Sequence, residues 1–238
     1  MQLSLLIKKI LKALFKPQLI VRYLIKLFNK FRLVFWARVD SKYINKEENI
    51  LFVDLGANLG QGYTWFSKYF NHKNITFELF EPNPYCYNEL LKLKDNVSGK
   101  IRIFNMGVGS KAGRVKFYGL NYNEGGKFSE GGTVIKNHNS KKFKHNNNLI
   151  SVDIENFNDY LIRNSKLYNK IIVKMDIEGA ELDLLESLIS HQTIELINIL
   201  YVEFHSKYQI DQQILKNREN TIIKYFNNQK FSKIRIWR

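Results

Sequence analysis

Two short polar segments in the second half of the chain carry residue types that can move a proton or hold a cation. Asp176 and Glu178 follow one apolar run, two residues apart. Glu203 and His205 follow the next apolar run with the same spacing. An imidazole oriented by a carboxylate can serve as a general base. We therefore predict that His205 accepts a proton and is oriented by Glu203 or Asp176, the alternative being that His205 only caps its loop. Because clustered oxygen ligands suit magnesium or calcium, a divalent cation held by Asp176, Glu178 or Glu203 is a second hypothesis.

A glycine-containing turn in the first half of the chain has the pattern of a nucleoside-binding loop. An apolar run at 50–53 precedes it, and a helical pattern begins at Tyr63. The polar and glycine positions of the turn are Asp54, Gly56, Asn58 and Gly60. Glycines let the main chain pass close to a ligand. The next apolar run ends on Glu81, whose carboxylate would lie at the carboxyl edge of a parallel sheet and accept hydrogen bonds from both ribose hydroxyls.

The spacing within this turn distinguishes two classes of cofactor. Glu81 follows Gly56 at a distance typical of dinucleotide folds, but the turn reads G-x-N-x-G rather than G-x-G-x-x-G. A dinucleotide turn needs glycine at the middle position for the pyrophosphate, whereas Asn58 and Asp54 offer polar side chains to an amino acid portion and a sugar. The pattern favours S-adenosylmethionine over NAD, the alternative being a tight turn that binds no cofactor.

Strand and helix patterns alternate along most of the chain and predict an α/β protein. The predicted strands lie at 50–54, 75–80, 101–105, 115–120, 170–176, 197–203 and 234–237. The predicted helices lie at 63–70, 84–94, 158–164, 180–189 and 212–226. This alternation favours a doubly wound, mainly parallel sheet, whose carboxyl edge would gather the candidate residues together with Asn105. The polar segment 125–148 is predicted to be a solvated loop insertion, with a substrate lid or a basic contact surface as alternatives.

The composition fits one globular domain with an appended segment. The 238 residues can bury one full core, and we predict a leader at 1–48 and a domain at 49–238. The formal net charge of +15 suggests an anionic partner, either nucleic acid or a membrane, although nucleotide bias in the encoding genome would also enrich lysine. Cys86 is the only cysteine, so we predict a packing role for it and a reducing, cytoplasmic compartment.

The first 39 residues are both basic and apolar. They contain nine lysines and arginines and no acidic residue. Apolar residues at 3–14 recur at helical spacing, which predicts a basic amphipathic helix, and the interspersed charges argue against a spanning or signal segment. We predict that residues 1–38 lie on an anionic membrane surface, where each cation would contribute about 1 kcal/mol. The alternative is that this helix packs on the domain or on a second subunit.

Five motifs together resemble the FkbM-type S-adenosylmethionine-dependent methyltransferases. They are VDLGANLGQ, LFEPNP, NMGVG, KMDIEGAELDLL and VEFH. The resemblance covers residues 49–205, and KMDIEGAE is its most specific element. It implies a class I methyltransferase fold, which is Rossmann-like, and many members of the family act on sugar hydroxyls of glycans or secondary metabolites.

The resemblance also implies roles for residues at the strand ends. The positions matched to the methionine and ribose side of the cofactor are Asp54, Gly56, Asn58 and Gly60. Glu81 would bind the ribose, and the turn containing Asn105, Met106 and Gly107 would bind the adenine. We also include Asp176 among the cofactor-binding candidates.

The chain departs from the family pattern in two places. Phe157 and Asn158 stand where the family usually has Leu-Asp, so we assign no role to Asn158. The chain after the strand at 197–203 is too short for the full closing hairpin of the fold, so we expect an abbreviated sheet edge. Acceptor pockets in such folds come from variable loops, which here are 120–148 and the segment after His205.

We predict an O-methyltransferase that acts on a sugar hydroxyl of a glycan or glycoconjugate, in the cytoplasm or peripherally on a membrane. The positive charge motivates an RNA methyltransferase as the leading alternative. Against it, the chain has neither the Asn/Asp-Pro-Pro-Tyr/Phe motif used for base amines nor a recognisable RNA-binding module. A membrane-surface or scaffold protein with a vestigial cofactor fold is the other alternative, and the retained acidic residues at the cofactor positions argue against it.

Overall fold

The computed structural model describes residues 17–45, 47–94, 100–120, 132–136, 149–228 and 233–237. The predicted amphipathic helix at 3–14 and most of the predicted loop at 125–148 lie outside these residues. The helices are α1 (Pro17–Lys42), α2 (Gln61–Phe66), α3 (Pro84–Lys94), α4 (Phe157–Asn164), α5 (Glu181–Ser190) and α6 (Gln212–Asn228). The strands are β1 (Ile50–Leu55), β2 (Ile75–Phe80), β3 (Lys100–Phe104), β4 (Gly107–Gly109), β5 (Gly113–Phe117), β6 (Ile150–Asn156), β7 (Lys170–Met175), β8 (Ile199–Glu203) and β9 (Lys233–Trp237).

Six parallel strands form the main sheet in the order β3-β2-β1-β7-β8-β9. Every residue of β1 and β2 is buried, as expected for apolar runs that are covered by helices on both faces. The strand order reverses between β1 and β7, and open parallel sheets bind ligands at the carboxyl ends of such a pair. The predicted doubly wound, Rossmann-like sheet is therefore confirmed. Among the described residues, β9 is the last strand on this side of the sheet.

The two faces of the sheet are covered by separate apolar clusters. Successive residues of β1 point to opposite faces, so Phe52 and Val53 belong to different clusters. The Val53 cluster includes side chains from helices α4, α5 and α6. The Phe52 cluster includes side chains from helices α1, α2 and α3. Helices thus pack on both faces and leave the strand ends as the places where polar residues can meet a ligand.

A second, three-stranded sheet was not predicted from the sequence. Strand β6 lies between β4, with which it is parallel, and β5, with which it is antiparallel. A strand was predicted at 115–120, but none at 150–156, because Asp153 and Glu155 interrupt the apolar residues there. Val152 is nevertheless buried and packs with Phe117 and Leu120. The alternation of apolar and polar residues in β6 was the available signal.

Helix α1 is a single helix of 26 residues. The fully buried Asp40 attaches its C-terminal half to the sheet. The Asp40 carboxylate accepts hydrogen bonds from the Tyr201 hydroxyl at 2.8 Å and from two nitrogens of Arg235 at 2.9 and 2.7 Å. Because an unpaired buried carboxylate is costly, this bidentate pair fixes where α1 sits on the sheet. The division between leader and domain near residue 48 stays a prediction.

Candidate active site

The turn after β1 adopts a backbone conformation that favours glycine. Gly56 and Gly60 have φ angles of 78° and 82°, and Asn58 has a φ angle of 48°. A Cβ atom on Gly56 would lie 2.0 Å from the carbonyl oxygen of Asp176, so only glycine allows the ends of β1 and β7 to approach this closely. Asparagine is one of the few other residues that adopt the left-handed conformation routinely. The turn therefore forms a closely packed backbone wall where the strand order reverses.

The Glu81 carboxylate joins two loops at the same edge. Its Oε2 accepts a hydrogen bond from the backbone N–H of Asn58 at 2.7 Å, and its Oε1 accepts one from Asn83 at 2.8 Å. The Asn105 side-chain amide donates to the backbone carbonyls of Glu81 and Pro82 at 3.0 and 3.2 Å. Burial raises the pKa of Glu81 to about 7, although the two N–H donors oppose this shift. The loops after β1, β2 and β3 are thus held together by side chains that were predicted to bind the cofactor.

A buried lysine that sequence reasoning missed lies beneath the turn. Lys174 Nζ lies 2.9 Å from Asp54 Oδ1 and 3.6 Å from Asp176 Oδ2, and it donates a hydrogen bond to the Gly56 carbonyl at 2.9 Å. Burial lowers the pKa of Lys174, but the charges of Asp54 and Asp176 outweigh that effect and raise it. Asp54 is itself fully buried. Its carboxylate therefore holds the turn in place through Lys174, and direct contact between Asp54 and a cofactor stays a prediction.

Asp176, Glu178 and His205 come together where β7 and β8 end, and we call these three residues the acidic–histidine cluster. His205 Nε2 lies 3.7 Å from Asp176 Oδ1 and 3.7 Å from Glu178 Oε2. The other ring nitrogen, Nδ1, lies 2.9 Å from Glu181 Oε1. Glu178 has a φ angle of 52°, a conformation that is uncommon outside glycine and that is concentrated at functional sites. The predicted association of Asp176 with His205 is present, and Glu178 completes the cluster.

Glu181 makes a hydrogen bond that orients the His205 ring. The buried Glu181 carboxylate also accepts hydrogen bonds from the backbone N–H groups of Ile177 and Gly179, each at 3.1 Å. Burial raises the pKa of Glu203, and the charge of His205 and the Trp237 side chain oppose this shift. The prediction named Glu203 or Asp176 as the orienting carboxylate. The structure adds Glu181, because helix α5 begins there and brings its side chain to His205 Nδ1. The alternative of a simple loop cap is disfavoured by this buried contact.

The electrostatics of the cluster differ from those of an isolated base. Burial lowers the pKa of His205, but Glu181, Glu178 and Asp176 together outweigh that effect and raise it to about 10. Burial raises the pKa of Glu178 to about 7, and the charge of His205 opposes this shift. His205 is therefore an imidazolium at neutral pH in the free protein, while Glu178 titrates near neutrality. The two groups are close enough to titrate as a coupled pair.

Comparison with known proteins agrees with this geometry. The family model of the methyltransferase FkbM domain matches residues 54–234, which is most of the chain and includes both the turn and the cluster. This chain belongs to the FkbM methyltransferase family. Methyltransferase 1 of Beauveria bassiana (strain ARSEF 2860) is 26% identical over 191 residues, which cover 70% of this chain and 74% of that protein. The crystal structure of methyltransferase FkbM from Methylobacillus flagellatus KT is 15% identical with a TM-score of 0.42, and the match covers 76% of this chain and 38% of that one.

As an FkbM methyltransferase, the chain is expected to use S-adenosylmethionine, and the residues at the strand-order reversal fit that group. The Gly56 turn allows close approach, and each Glu81 oxygen that accepts one N–H retains a second lone pair for a ribose hydroxyl. On the adenine side, Met106 packs against the core, and a Cβ on Gly107 would lie 2.8 Å from Ile154. The cofactor-binding role of each residue stays a prediction.

The acidic–histidine cluster also has the composition of a divalent cation site. One ligand atom from each of Asp176, Glu178 and His205 lies within 4.8 Å of the others. Glu181 holds the remaining ring nitrogen of His205, which is the arrangement that usually orients a metal-binding histidine. The sequence hypothesis named Asp176, Glu178 or Glu203 as ligands, and the group of converging ligand atoms contains Asp176, Glu178 and His205.

A cavity of about 260 Å³ is lined by residues that include Ile135 and Gln209, and these two side chains also lie next to Gly179. Its lining comes from the segments 134–136 and 209–215, which belong to the two regions predicted to form the acceptor pocket. The Gln209 side chain donates to the Gly179 carbonyl at 2.9 Å, and the Thr133 hydroxyl donates to the Glu178 carbonyl at 2.7 Å. The segments that line the cavity are therefore hydrogen-bonded, through Gln209 and the adjacent Thr133, to the backbone at Glu178 and Gly179.

Two residues without an assigned catalytic role have clear structural ones. Cys86 is buried, and burial raises the pKa of its thiol to about 12, which agrees with a packing residue and not with a nucleophile. The Asn158 side chain donates to Ser187 Oγ at 3.0 Å and accepts from the Thr193 hydroxyl at 2.5 Å. Asn158 thus connects α4 to α5 and to the turn at 193–196, away from the candidate cofactor edge.

Glu81→Gln is expected to weaken S-adenosylmethionine binding by about 10- to 100-fold. Glutamine has one carbonyl oxygen, so it cannot accept hydrogen bonds from both Asn58 and Asn83 as the carboxylate does. Calorimetric titration would measure the Kd, with Glu89→Gln as a matched control because the ion pair of Glu89 with Lys92 is exposed.

The same titration has an expected pH dependence. With a Glu81 pKa of about 7, the ionised carboxylate that accepts the hydroxyl hydrogen bonds becomes more populated as pH rises. The affinity of the wild-type protein should therefore increase by roughly tenfold from one pH unit below that pKa to one above it. If the Glu81→Gln variant bound S-adenosylmethionine with wild-type affinity, Glu81 would not be a cofactor-binding residue.

Proposed function

We propose that this methyltransferase transfers the methyl group of S-adenosylmethionine to a sugar hydroxyl of a glycan or glycoconjugate. The observation that carries the proposal is the acidic–histidine cluster, which lies beside the cofactor turn. A sugar hydroxyl is weakly acidic, so its methylation benefits from a group that takes its proton as the new bond forms. Asp176 connects the two parts of the site, because its backbone carbonyl contacts the Gly56 turn and its carboxylate faces His205.

Two features of the site support this reaction. S-adenosylmethionine supplies an electrophilic methyl group, which leaves the sulfonium in an in-line displacement. The protein must hold the acceptor oxygen against that methyl group, and good positioning can contribute about 7 to 11 kcal/mol. The cavity beside Gly179 is the place we assign to the acceptor, because Gln209 at its edge is tied to the backbone of the cluster.

We assign proton acceptance to the coupled pair of Glu178 and His205 rather than to His205 alone. His205, whose pKa is raised to about 10, carries its own proton at neutral pH, whereas Glu178, whose pKa is raised to about 7, is the group that can accept one. A proton from the acceptor hydroxyl would pass to Glu178, and the neighbouring imidazolium would stabilise the oxygen as negative charge develops on it. Glu181, whose carboxylate lies 2.9 Å from His205 Nδ1, would hold the imidazole ring in an orientation that faces both Glu178 and the acceptor oxygen.

A divalent cation at the acidic–histidine cluster is a second mechanism, which we propose as the alternative to this proton transfer, because a histidine binds a metal only when neutral and a carboxylate only when ionised. Asp176, Glu178 and His205 would hold it, and it would supply Lewis acidity that lowers the pKa of the acceptor hydroxyl. If a cation is required, removal of metal with a chelator should lower turnover by about 10²-fold or more, and magnesium or calcium should restore it. Turnover that is unchanged after chelation would leave proton transfer to the side chains alone.

The proposed acceptor class can be tested with a screen that uses radiolabelled S-adenosylmethionine. The acceptors would be lipid-linked glycans, nucleotide sugars and total RNA, with Gln209→Ala as a variant of the cavity edge. We expect label in a sugar-containing acceptor and a raised KM for Gln209→Ala. Label in RNA alone would favour the nucleic-acid alternative, particularly if binding falls steeply with salt. Absence of S-adenosylmethionine binding at millimolar concentration would instead favour a vestigial fold.

A further inference from the structure

Helix α1 carries a row of large apolar side chains on its exposed side. Phe28, Phe31 and Phe35 are 65%, 66% and 64% exposed, although aromatic side chains of this size are usually buried in a folded domain. With three aliphatic residues they recur at intervals of three and four, which places them along one side of the helix. We call this row the α1 stripe, and it consists of Val21, Leu24, Phe28, Phe31, Phe35 and Val39. At 1.5 Å per residue the stripe is about 27 Å long.

The other side of α1 is attached to the domain, so the stripe cannot turn inward. Arg32 donates a hydrogen bond to the Ile236 carbonyl at 2.5 Å and stacks over the Trp36 ring at 4.6 Å. Ala37 and Asp40 are fully buried, and Asp40 pairs with Arg235 of β9. Rotating the helix to bury the stripe would break these contacts. A contiguous apolar surface of this length on a folded domain marks an interaction site.

The charges around the stripe indicate which surface it contacts. Arg38 is exposed beside the stripe, Lys30 is exposed on the flank between the stripe and the attached side of the helix, and the sequence has no acidic residue from Met1 to Val39. Apolar aromatic residues bordered by cations are the combination with which interfacial helices bind anionic lipids. A second copy of the same surface would bring like charges together, which disfavours self-association. None of the described helices is long and apolar enough to cross a membrane.

We propose that the α1 stripe docks on an anionic lipid surface, with helix α1 lying in the plane of the interface. The phenyl rings enter the boundary between headgroups and acyl chains, while Lys30 and Arg38 meet the headgroup phosphates. Because Asp40 and Arg32 join this helix to β8 and β9, docking holds the methyltransferase domain in a fixed orientation on the membrane. The proposal uses no residue of the candidate active site, so it stands or falls independently of the acceptor.

Flotation of the full chain with lipid vesicles tests the proposal. Vesicles of phosphatidylcholine alone would be compared with vesicles that also contain phosphatidylglycerol. We expect binding to the anionic vesicles, weakened by salt, and about a tenfold or greater loss of binding for Phe28→Ser/Phe31→Ser/Phe35→Ser. Lys30→Gln/Arg38→Gln should lose most of the preference for anionic vesicles and keep the fold, because both side chains are exposed.

The matched control is Ile162→Ser/Leu167→Ser, which removes apolar side chains that are 44% and 68% exposed elsewhere on the domain. This control should float like the wild-type chain. Three outcomes would overturn the proposal. In the first, the wild-type chain remains with the unbound fraction, and in the second, the triple serine variant floats as well as the wild type. Alternatively, a concentration-dependent dimer that the triple substitution abolishes, without any flotation, would assign the stripe to a second copy of this chain.

Discussion

Replacing His205 with glutamine is expected to lower kcat for methyl transfer by about 10²- to 10⁴-fold and to leave the S-adenosylmethionine Kd unchanged. The substitution removes the imidazolium that faces Asp176 and Glu178, each at 3.7 Å. Negative charge that develops on the acceptor oxygen would then no longer be stabilised by a nearby cation. The substitution leaves the cofactor turn intact, because no hydrogen bond of the turn described above involves His205. Initial rates at saturating cofactor, together with calorimetric titration of the cofactor, separate the two effects.

The matched control for this substitution is His191→Gln. His191 is exposed and directly follows helix α5. Its ring nitrogen Nδ1 lies 2.8 Å from the Ser187 carbonyl oxygen and 3.1 Å from the Ser190 hydroxyl. The control should retain wild-type kcat, which would show that loss of an imidazole is harmful only inside the cluster. If His205→Gln turned over at the wild-type rate with normal cofactor affinity, the cluster would not be the reaction centre.

Replacing Lys174 with methionine is expected to lower the free energy of unfolding by about 3 to 5 kcal/mol. Methionine fills a similar volume but leaves the fully buried Asp54 carboxylate without its cation and the Gly56 carbonyl without its donor. Urea denaturation would measure the change, and Lys116→Met, in exposed β5, is the control that should change stability little.

A second substitution distinguishes loss of the ion pair from loss of packing. Adding Asp54→Asn to Lys174→Met removes the uncompensated charge, so the double variant should recover part of the lost stability. Equal destabilisation by the single and double variants would mean that packing, and not charge, accounts for the effect. A Lys174→Met variant as stable as the wild type would contradict the role given to this lysine in supporting the turn.

The sequence predicted those parts of the site that depend on where strands end. Asp54, Glu81 and Asp176 each follow or end an apolar run, and parallel strands place such residues at one edge of the sheet. Hydrophobic periodicity was sufficient for this purpose, since β1, β2 and β7 are almost entirely buried. The observed boundaries of these three strands differ from the predicted ones by at most one residue, which does not change the edge on which a side chain lies.

The partners of these residues could not be predicted in the same way. The contact of Glu181 with His205 depends on where α5 begins after the turn at Gly179, which has a φ angle of 108°. Lys174 belongs to an apolar strand, where its pairing with Asp54 depends on the register between β1 and β7. A lysine inside a buried strand was nevertheless a signal, because such a charge requires a partner. The raised pKa of His205 also follows from spatial neighbours and not from its own segment.

The most direct test of the proposed reaction is the identity of the product formed from S-adenosylmethionine carrying a carbon-13 methyl group. Nuclear magnetic resonance of that product would locate the new methyl group by its couplings to neighbouring atoms. We predict a methyl carbon joined through oxygen to a sugar ring carbon, formed far more slowly by His205→Gln than by the wild type or His191→Gln. A methyl group on nitrogen or carbon, or one on a nucleotide of RNA, would contradict the proposed sugar O-methylation.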